Sequence, residues 1–360
     1  MAKPRLKLDV ATPPTPLKER EANPANTKRP STALIVLAFA AIYLIWGSTY
    51  LAIKYAIGTL PPFLMAATRF LSAGAILFTW ARLRGTTINS DGIGPLRQWR
   101  RAFIIGALLL LGGNGGVTWA ERYLSSGLTA LLVASEPLWV VILNWSSGGS
   151  RPNAKVSLGL FTGLAGVALL VSGGIAGGHG GTMMSLIGAG VVVGAAVSWA
   201  GGSIYSIRRP VQTSAPLASG MQMLSGGALL LLMGLMTGEY AKLDLHNASW
   251  VSLGALLYLS LFGSVVAFTA YSWLLRNVSP ARAATYAYVN PAVAVFLGWA
   301  IANEPVTLRM IVAAAIIVAS VALITTYGKE GTERSTTASK PLEEEKVSDE
   351  IARCPSHPCA

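Results

Sequence analysis

Apolar residues along this chain gather into long uninterrupted runs, each near the roughly 20 residues that a helix needs to cross about 30 Å of hydrocarbon. Ten such runs stand out, near 34-56, 63-81, 102-120, 126-146, 156-173, 185-206, 216-237, 250-274, 281-302 and 307-327. The pattern predicts an all-α membrane protein with ten transmembrane helices. A membrane β-barrel would instead show segments of about ten residues in period-two alternation, with a much weaker signal in each. The first run follows a basic stretch, but it is too long for the apolar part of a signal peptide and carries Trp46 and Lys54, so it reads as the first span.

Composition agrees with this reading: 52 % of the residues are apolar, 12 % are charged, and there are 38 glycines. Charge adds orientation, because Lys and Arg in short loops stay on the cytoplasmic side. Of the 28 basic residues, 23 fall in the two tails and the alternate loops of one side, leaving Lys54, Arg69, Arg122, Lys242 and Arg309 elsewhere. Both termini are therefore expected in the cytoplasm, with the chain multi-pass in a plasma membrane, in a bacterium the inner one. Topology and contact with anionic headgroups account for the net charge of +12. Nucleic acid is not an expected partner, since basic residues scattered through membrane loops form no single patch.

The proline-rich, charged segment 1-33 and the polar, acidic segment 328-360 cannot bury a core and are expected to be disordered cytoplasmic tails. Cys354, His357 and Cys359 close the second tail. Zinc sites need four well-spaced ligands, so these read as a solvated tail, and neither a metal nor a cofactor is expected. His357 at the fourth position from the end leaves no prenylation box.

An internal repeat decides the architecture. Residues 122-169 align without a gap to the chain 154 positions later, pairing Arg122 with Arg276, Ser125 with Ser279, Pro137 with Pro291 and Trp145 with Trp299. "IWGST" at 45-49 likewise resembles "SWAGG" at 198-202. The chain divides into two repeats of five spans, 34-175 and 182-327. Five is odd, so the second repeat starts from the opposite side of the membrane. That is the inverted-repeat design of secondary transporters, whose substrate sites lie near the midplane between the repeats. Glu136 and its repeat mate Asn290 sit at the centres of the fourth and ninth spans, each followed by a proline, Pro137 and Pro291. A proline removes a backbone donor and disturbs the carbonyl four residues back. Two broken helices facing each other at mid-depth are expected, and irregular backbone there is tolerated only when buried in protein or lining a wet cavity.

"IYLIWGSTYLAIKYAI" in the first span, "PPFLMAATRFLSAGAIL" in the second, "SSGLTALLVASEPLWVVIL" in the fourth and "PARAATYAYVNPAVAVFLGW" in the ninth resemble the drug/metabolite transporter superfamily, and within it the EamA-type family. The resemblance covers residues 34 to 327. It implies ten helices with both termini inside, a central cavity between the halves, and export or exchange of small metabolites or amphipathic compounds. The Gly-Glu pair usual in the family after the ninth span appears here as Asn303-Glu304, a departure in a loop rather than in the cavity.

An unpaired charge at mid-membrane costs roughly 3 kcal/mol on insertion scales, so Glu136 must be paired, protonated or wet. It reads as a substrate or proton site, against a structural ion pair with Arg69 in the second span. Lys54 reads equally as functional or as snorkelling to the headgroups. Asn290 and Asn114 are the uncharged polar candidates. Asn114 lies within "GGNGG", whose glycines either loosen the helix for a cavity or allow close packing, as Gly159 and Gly163 are expected to do. Trp46 and Trp199 hold matching mid-span positions, unlike most membrane tryptophans, and read as a cavity wall or as core. Tyr50 and Tyr288 complete the candidates.

A membrane enzyme lacks support: His179, His246, His357 and all four aspartates (Asp9, Asp91, Asp244 and Asp349) fall outside the apolar runs, leaving no embedded nucleophile-base pair. No phosphate-binding loop points to ATP hydrolysis. A channel filter would be a symmetric ring of carbonyls or charges, which one Glu and one Arg do not make. The expectation is a carrier working by alternating access on a small metabolite, an amino acid or relative, with export as the direction. The alternative is export of cationic amphipathic drugs. A proton or a counter-substrate would supply the drive, the lipid bilayer is the surrounding partner, and a homodimer is the candidate assembly.

Overall fold

A computed structural model describes residues 31–88, 94–148, 151–172, 181–277 and 286–327. The tails, with Cys354, His357 and Cys359, lie outside these residues. All regular structure among the described residues is helical.

The apolar runs become helices in the expected places. α1 is Thr32–Ala56, opened by Ser31, whose hydroxyl accepts from the Leu34 N–H, and α2 is Pro62–Leu83, with proline at the first turn where no donor is needed. The third run is composite: α3 (Pro95–Gly106), a π-helical stretch over Ala107–Gly115, then α4 (Gly116–Ala120). The fourth is broken into α5 (Ser126–Val133) and α6 (Glu136–Ser146). α7 (Ala154–Ser172), α8 (Gly181–Arg208) and α9 (Ala215–Met236) are continuous. After a 3-10 turn at Glu239–Lys242 come α10 (Trp250–Tyr258), a second π-helical stretch (Leu259–Val266) and α11 (Ala267–Asn277). α12 (Tyr286–Ala302) and α13 (Leu308–Tyr327) finish the fold. Seven helical segments are long and apolar enough to cross a membrane, and three shorter apolar helices lie in α7, α12 and α13.

Prolines explain one break and fail to make another. Pro137 denies Val133 its i+4 donor, and the chain turns at Ala134 and Ser135 before α6 begins. Ser135 stabilises the turn, its hydroxyl donating to the Leu132 carbonyl at 2.7 Å and accepting from Trp139 Nε1 at 3.1 Å. The matching break expected at Pro291 does not form: α12 runs through it as one helix. A proline displaces one carbonyl, and whether the helix then parts depends on whether a nearby polar group such as Ser135 completes a turn.

Packing exchanges partners between the halves. α1 lies against α10, α11 and α12 of the second half, while α8 lies against the first π stretch, α4, α5 and α6 of the first. α2 packs along α9, and α7 along α13. The pattern is preserved when first-half and second-half elements are swapped. Large apolar side chains left over, among them Leu37, Leu44, Phe161, Leu232 and Trp250, face outward, as lipid contact requires. Small residues let backbones approach. A side chain at Gly106 would meet the Gln222 carbonyl oxygen at 2.6 Å and the Gly226 N at 2.8 Å. Gly159 and Gly163 do pack α7 on α13, against Ile324 and Ser320.

Because the Gly106 neighbours are backbone and cannot rotate away, Gly106→Ala is expected to destabilise by about 1–3 kcal/mol, the usual overpacking range. Gly194→Ala, where nothing lies within 4 Å, is the control and should leave the detergent melting temperature unchanged.

Candidate functional site

One face of α1 begins the site. Trp46, Thr49, Tyr50 and Ile53 recur at helical spacing and line a cavity of about 110 Å³. Across from them stand Gly113, Asn114 and Val117 from the third run, Val133 and Glu136 from the two sides of the α5–α6 break, and Ala195, Ala196 and Trp199 from α8. Arg69 of α2, Phe268 of α11, and Tyr286 and Asn290 of α12 close it. Glu136, Arg69, Asn290, Asn114, Trp46, Trp199 and Tyr50 thus converge, drawn from both halves. The side chain of Tyr288 lies outside the described residues.

Both π stretches serve this cavity. A π turn widens the helix and frees backbone groups, which is why such turns gather at functional sites. In the first, Asn114 Nδ2 turns back to the Leu109 carbonyl at 3.5 Å. Gly112 and Gly113 let Ser198 and Trp199 of α8 come close, a Cβ at Gly113 falling 2.8 Å from the Trp199 ring. The glycines are therefore packing devices. In the second, the Gly263 carbonyl accepts from Trp46 Nε1 at 3.1 Å, and Ser264 Oγ accepts from Arg69 Nε at 2.9 Å.

The pairing expected between Arg69 and Glu136 is not made. Arg69 is held by Ser264, and among the described residues the one ion pair joins Lys54 to Glu304 at 3.2 Å. Glu136 has neither hydrogen bond nor ion pair with any described residue and faces the cavity. Asn290 is buried, with Oδ1 unpartnered among the described residues. Trp46 is the hub of an aromatic cluster, its ring centroid 5.5 Å from Phe268, 5.2 Å from Tyr271 and 5.1 Å from Tyr286. Such tilted and edge-on contacts suit the ring quadrupoles and fix Trp46 as a rigid wall.

Snorkelling is likewise corrected for Lys54, whose ammonium reaches Glu304 and the Leu124 carbonyl instead of headgroups. Glu304 accepts from the Ser126 N–H at 2.9 Å, the Ser126 hydroxyl at 2.9 Å and the Gly127 N–H at 3.1 Å, so it caps the first turn of α5. Free N–H groups and the helix dipole both favour an anion there. Asn303 before it has φ 53°, the left-handed turn that glycine takes most readily and asparagine next. The device recurs: Gly238 at φ 70° precedes Glu239, whose Oε2 accepts from the N–H groups of Phe63 and Leu64 at 2.9 and 3.0 Å, capping α2. Burial pushes Glu239 upward in spite of these bonds. At Glu304 burial pushes the same way, but the Ser126 and Gly127 bonds and Lys54 outweigh it and hold the carboxyl below its ordinary value.

Sequence reasoning missed Phe268, Tyr286 and the Glu304 cap, and also Glu121, whose buried carboxylate has neither oxygen partnered among the described residues. Two signals were available. Tyr286 precedes Asn290 by four residues and so shares its face, and Glu121 follows Asn114 by seven and Val117 by four.

A helical bundle with membrane-length apolar segments and a mixed-polarity cavity between its halves defines a polytopic membrane transporter. The EamA-like transporter family matches twice, over residues 33–172 and 186–326. The chain belongs to that family. It is 38 % identical over 290 residues to the uncharacterized inner membrane transporter YedA of Escherichia coli K12, covering 80 % of this chain and 89 % of that one. It is 27 % identical over 299 residues to the uncharacterized transporter YvbV of Bacillus subtilis, covering 83 % and 92 %. A crystal structure of a protein with 22 % identity shares the fold at a TM-score of 0.56, over 84 % of this chain and 99 % of the other.

Since the folded Glu304 titrates below the ordinary glutamate value of 4.5, its contribution to stability is complete above that value and is lost as pH falls through the lower folded one. Glu304→Gln, which removes the negative charge facing Lys54 and turns an amide N–H₂ toward donors, is expected to cost about 1–3 kcal/mol. Melting curves against pH should show its acid limb flattened relative to the parent.

Proposed function

We propose that the protein is a secondary transporter of a small zwitterionic metabolite, an amino acid or close relative, exporting it across a bacterial inner membrane by alternating access. The supporting observation is the cavity between the halves. Unpaired Glu136 and the free Oδ1 of Asn290 offer acceptors for an ammonium, and Arg69 keeps guanidinium N–H groups for a carboxylate beyond the one used by Ser264. Charge-assisted bonds to a planar carboxylate suit arginine. Trp46, Phe268 and Tyr286 would face the side chain of the substrate.

In this reading the two family units are inverted repeats of five crossings each, with both termini cytoplasmic. The swap-symmetric packing, α1 on the second half and α8 on the first, supports it. So do the π stretches, which fall at equivalent places in the two halves. Rocking the halves about the shared cavity exposes it to one side at a time. A second reading, a cationic amphipathic drug, is favoured by the aromatic cluster around Trp46, because a cation gains further attraction from ring faces.

Uptake into proteoliposomes, with a panel of radiolabelled amino acids and cationic dyes, tests the assignment. Glu136→Gln and Arg69→Ala should each lower amino-acid transport about tenfold or more, as the loss of a charge-assisted contact of roughly 1.5–3 kcal/mol implies. Wild-type rates in both variants would place the substrate elsewhere. Dye transport that depends on Glu136 and not on Arg69 would favour the second reading.

A further inference from the structure

Glu121 follows α4 at the end of the third run, 2 % exposed, with both carboxyl oxygens unpartnered among the described residues. It stands outside the cavity lining but beside it. Tyr50, which does line the cavity, lies within electrostatic range of both Glu121 and Glu136. Lys54 of α1, Arg69 of α2 and Glu304 of the α12–α13 connection also interact with Glu121 through space. Its chain neighbour Arg122 is turned to the surface, beside Glu239 and Lys242.

Two cations, Lys54 and Arg69, thus share this region with three carboxylates, Glu121, Glu136 and Glu304. Lys54 is engaged by Glu304 and Arg69 by Ser264. A buried carboxylate left ionised without hydrogen bonds or a close counter-ion is strongly disfavoured, and such a group instead keeps a proton. Glu304 has donors on both oxygens, and Glu136 faces the cavity, where water or substrate can reach it. Glu121 has none of these.

We propose that Glu121 is the proton site of this transporter, distinct from the substrate cavity and one helical turn beyond its lining residue Val117. The inference rests on the transport reading for its role, though not for its chemistry. In the conformation seen here Glu121 is a neutral carboxylic acid. On release, in a conformation that opens Glu121 to the cavity, its O–H bond breaks, the proton passes to water, and a carboxylate remains. Lys54, the cation that acts on it most strongly, is then shared between Glu121 and Glu304. Any shift of Lys54 toward Glu121 weakens the Glu304 cap on α5, the helix that leads to the Glu136 break. Proton binding and the geometry of the cavity are coupled through one lysine.

pH-difference infrared spectra of the purified full-length protein test the site without any substrate. The parent should show a carboxylic-acid C=O band at neutral pH that Glu121→Gln removes, that Glu121→Asp retains at a shifted frequency, and that Glu136→Gln leaves in place. A parent without such a band, or a band that survives in Glu121→Gln, overturns the proposal. Should Glu121→Gln fail to fold, the frequency shift in Glu121→Asp carries the assignment, and an unshifted band there overturns it. In proteoliposomes, Glu121→Gln should keep equilibrium exchange of a transported amino acid while losing accumulation driven by a pH gradient, and wild-type accumulation would overturn the coupling role. A parent that moves none of the amino-acid panel counts against the substrate reading alone, and the spectra still decide the site.

Discussion

Backbone N–H groups at a helix start must find acceptors, and inside a membrane protein water cannot be relied on to supply them. Here two helices of the first half, α2 and α5, receive those acceptors from the second half, as the carboxylates of Glu239 and Glu304. Each glutamate is delivered by a residue in the left-handed turn, Gly238 or Asn303, which ends the preceding helix and aims the carboxylate across the boundary. Gly298 keeps the second of these possible: a Cβ there would fall 2.5 Å from Glu304 Oε2 and 3.0 Å from Ser126 Oγ. The halves are held by capping as well as by apolar contact. This also explains why an apolar bundle tolerates buried acids at all, since each capping acid is consumed by donors that would otherwise be orphaned.

The same economy of backbone groups shapes the cavity. Where a helix is regular, its polar atoms are spent internally, and a site must be made of side chains alone. The break at Ser135 and the two π stretches release carbonyls at the depth where α1, α2 and α12 converge, and one of them, Gly263 O, fixes Trp46. Ser264, from the same stretch, holds Arg69. A charged residue of the first half is therefore positioned by a serine on the irregular stretch of the second. Although the second half carries no ionisable counterpart of Arg69, it contributes to the charged site through that contact.

Much of this was legible in the sequence because bilayer thickness and helical rise leave little freedom: the ten apolar runs became the helical segments, and seven of the eight candidate residues line one cavity. What escaped has a common physical cause. The partner of Arg69 is a serine nearly two hundred residues away, and no local pattern marks it. The π stretches have no sequence signature that separates them from ordinary apolar helix. Glu304 lies in a short connection, where a carboxylate reads as solvated until α5 is seen beneath it. Pro291 carries the opposite lesson, since a proline at matching repeat positions accompanies a break at Pro137 and a continuous helix there. Val289 stands where Ser135 completes the turn in the first half.

The two ends of the bundle are closed by different chemistry, and under the proposed alternating access that difference matters. At the end carrying the start of α2, the contacts are ionic: Glu239 on α2, and Lys54 with Glu304 on α5. At the other end no carboxylate takes part among the described residues, and Arg101 donates to the Pro210 carbonyl at 2.8 Å. Gln98 and Gln212 exchange a pair of hydrogen bonds at 3.1 and 2.9 Å, and Thr213 donates to the Thr87 carbonyl at 3.0 Å. Neutral amide pairs exchange with water at little net cost, so that end can open and close without regard to pH. An ionic cap responds to any change in the charge of its neighbours. Under the proposed topology the ionic end faces outward, so a proton taken up or released near Lys54 changes the balance between the two closures at one end only. Under the proposed topology and mechanism, opposite directionality of the repeats would make alternate opening geometrically available, and unequal chemistry at the two ends would let a proton gradient favour one opening over the other.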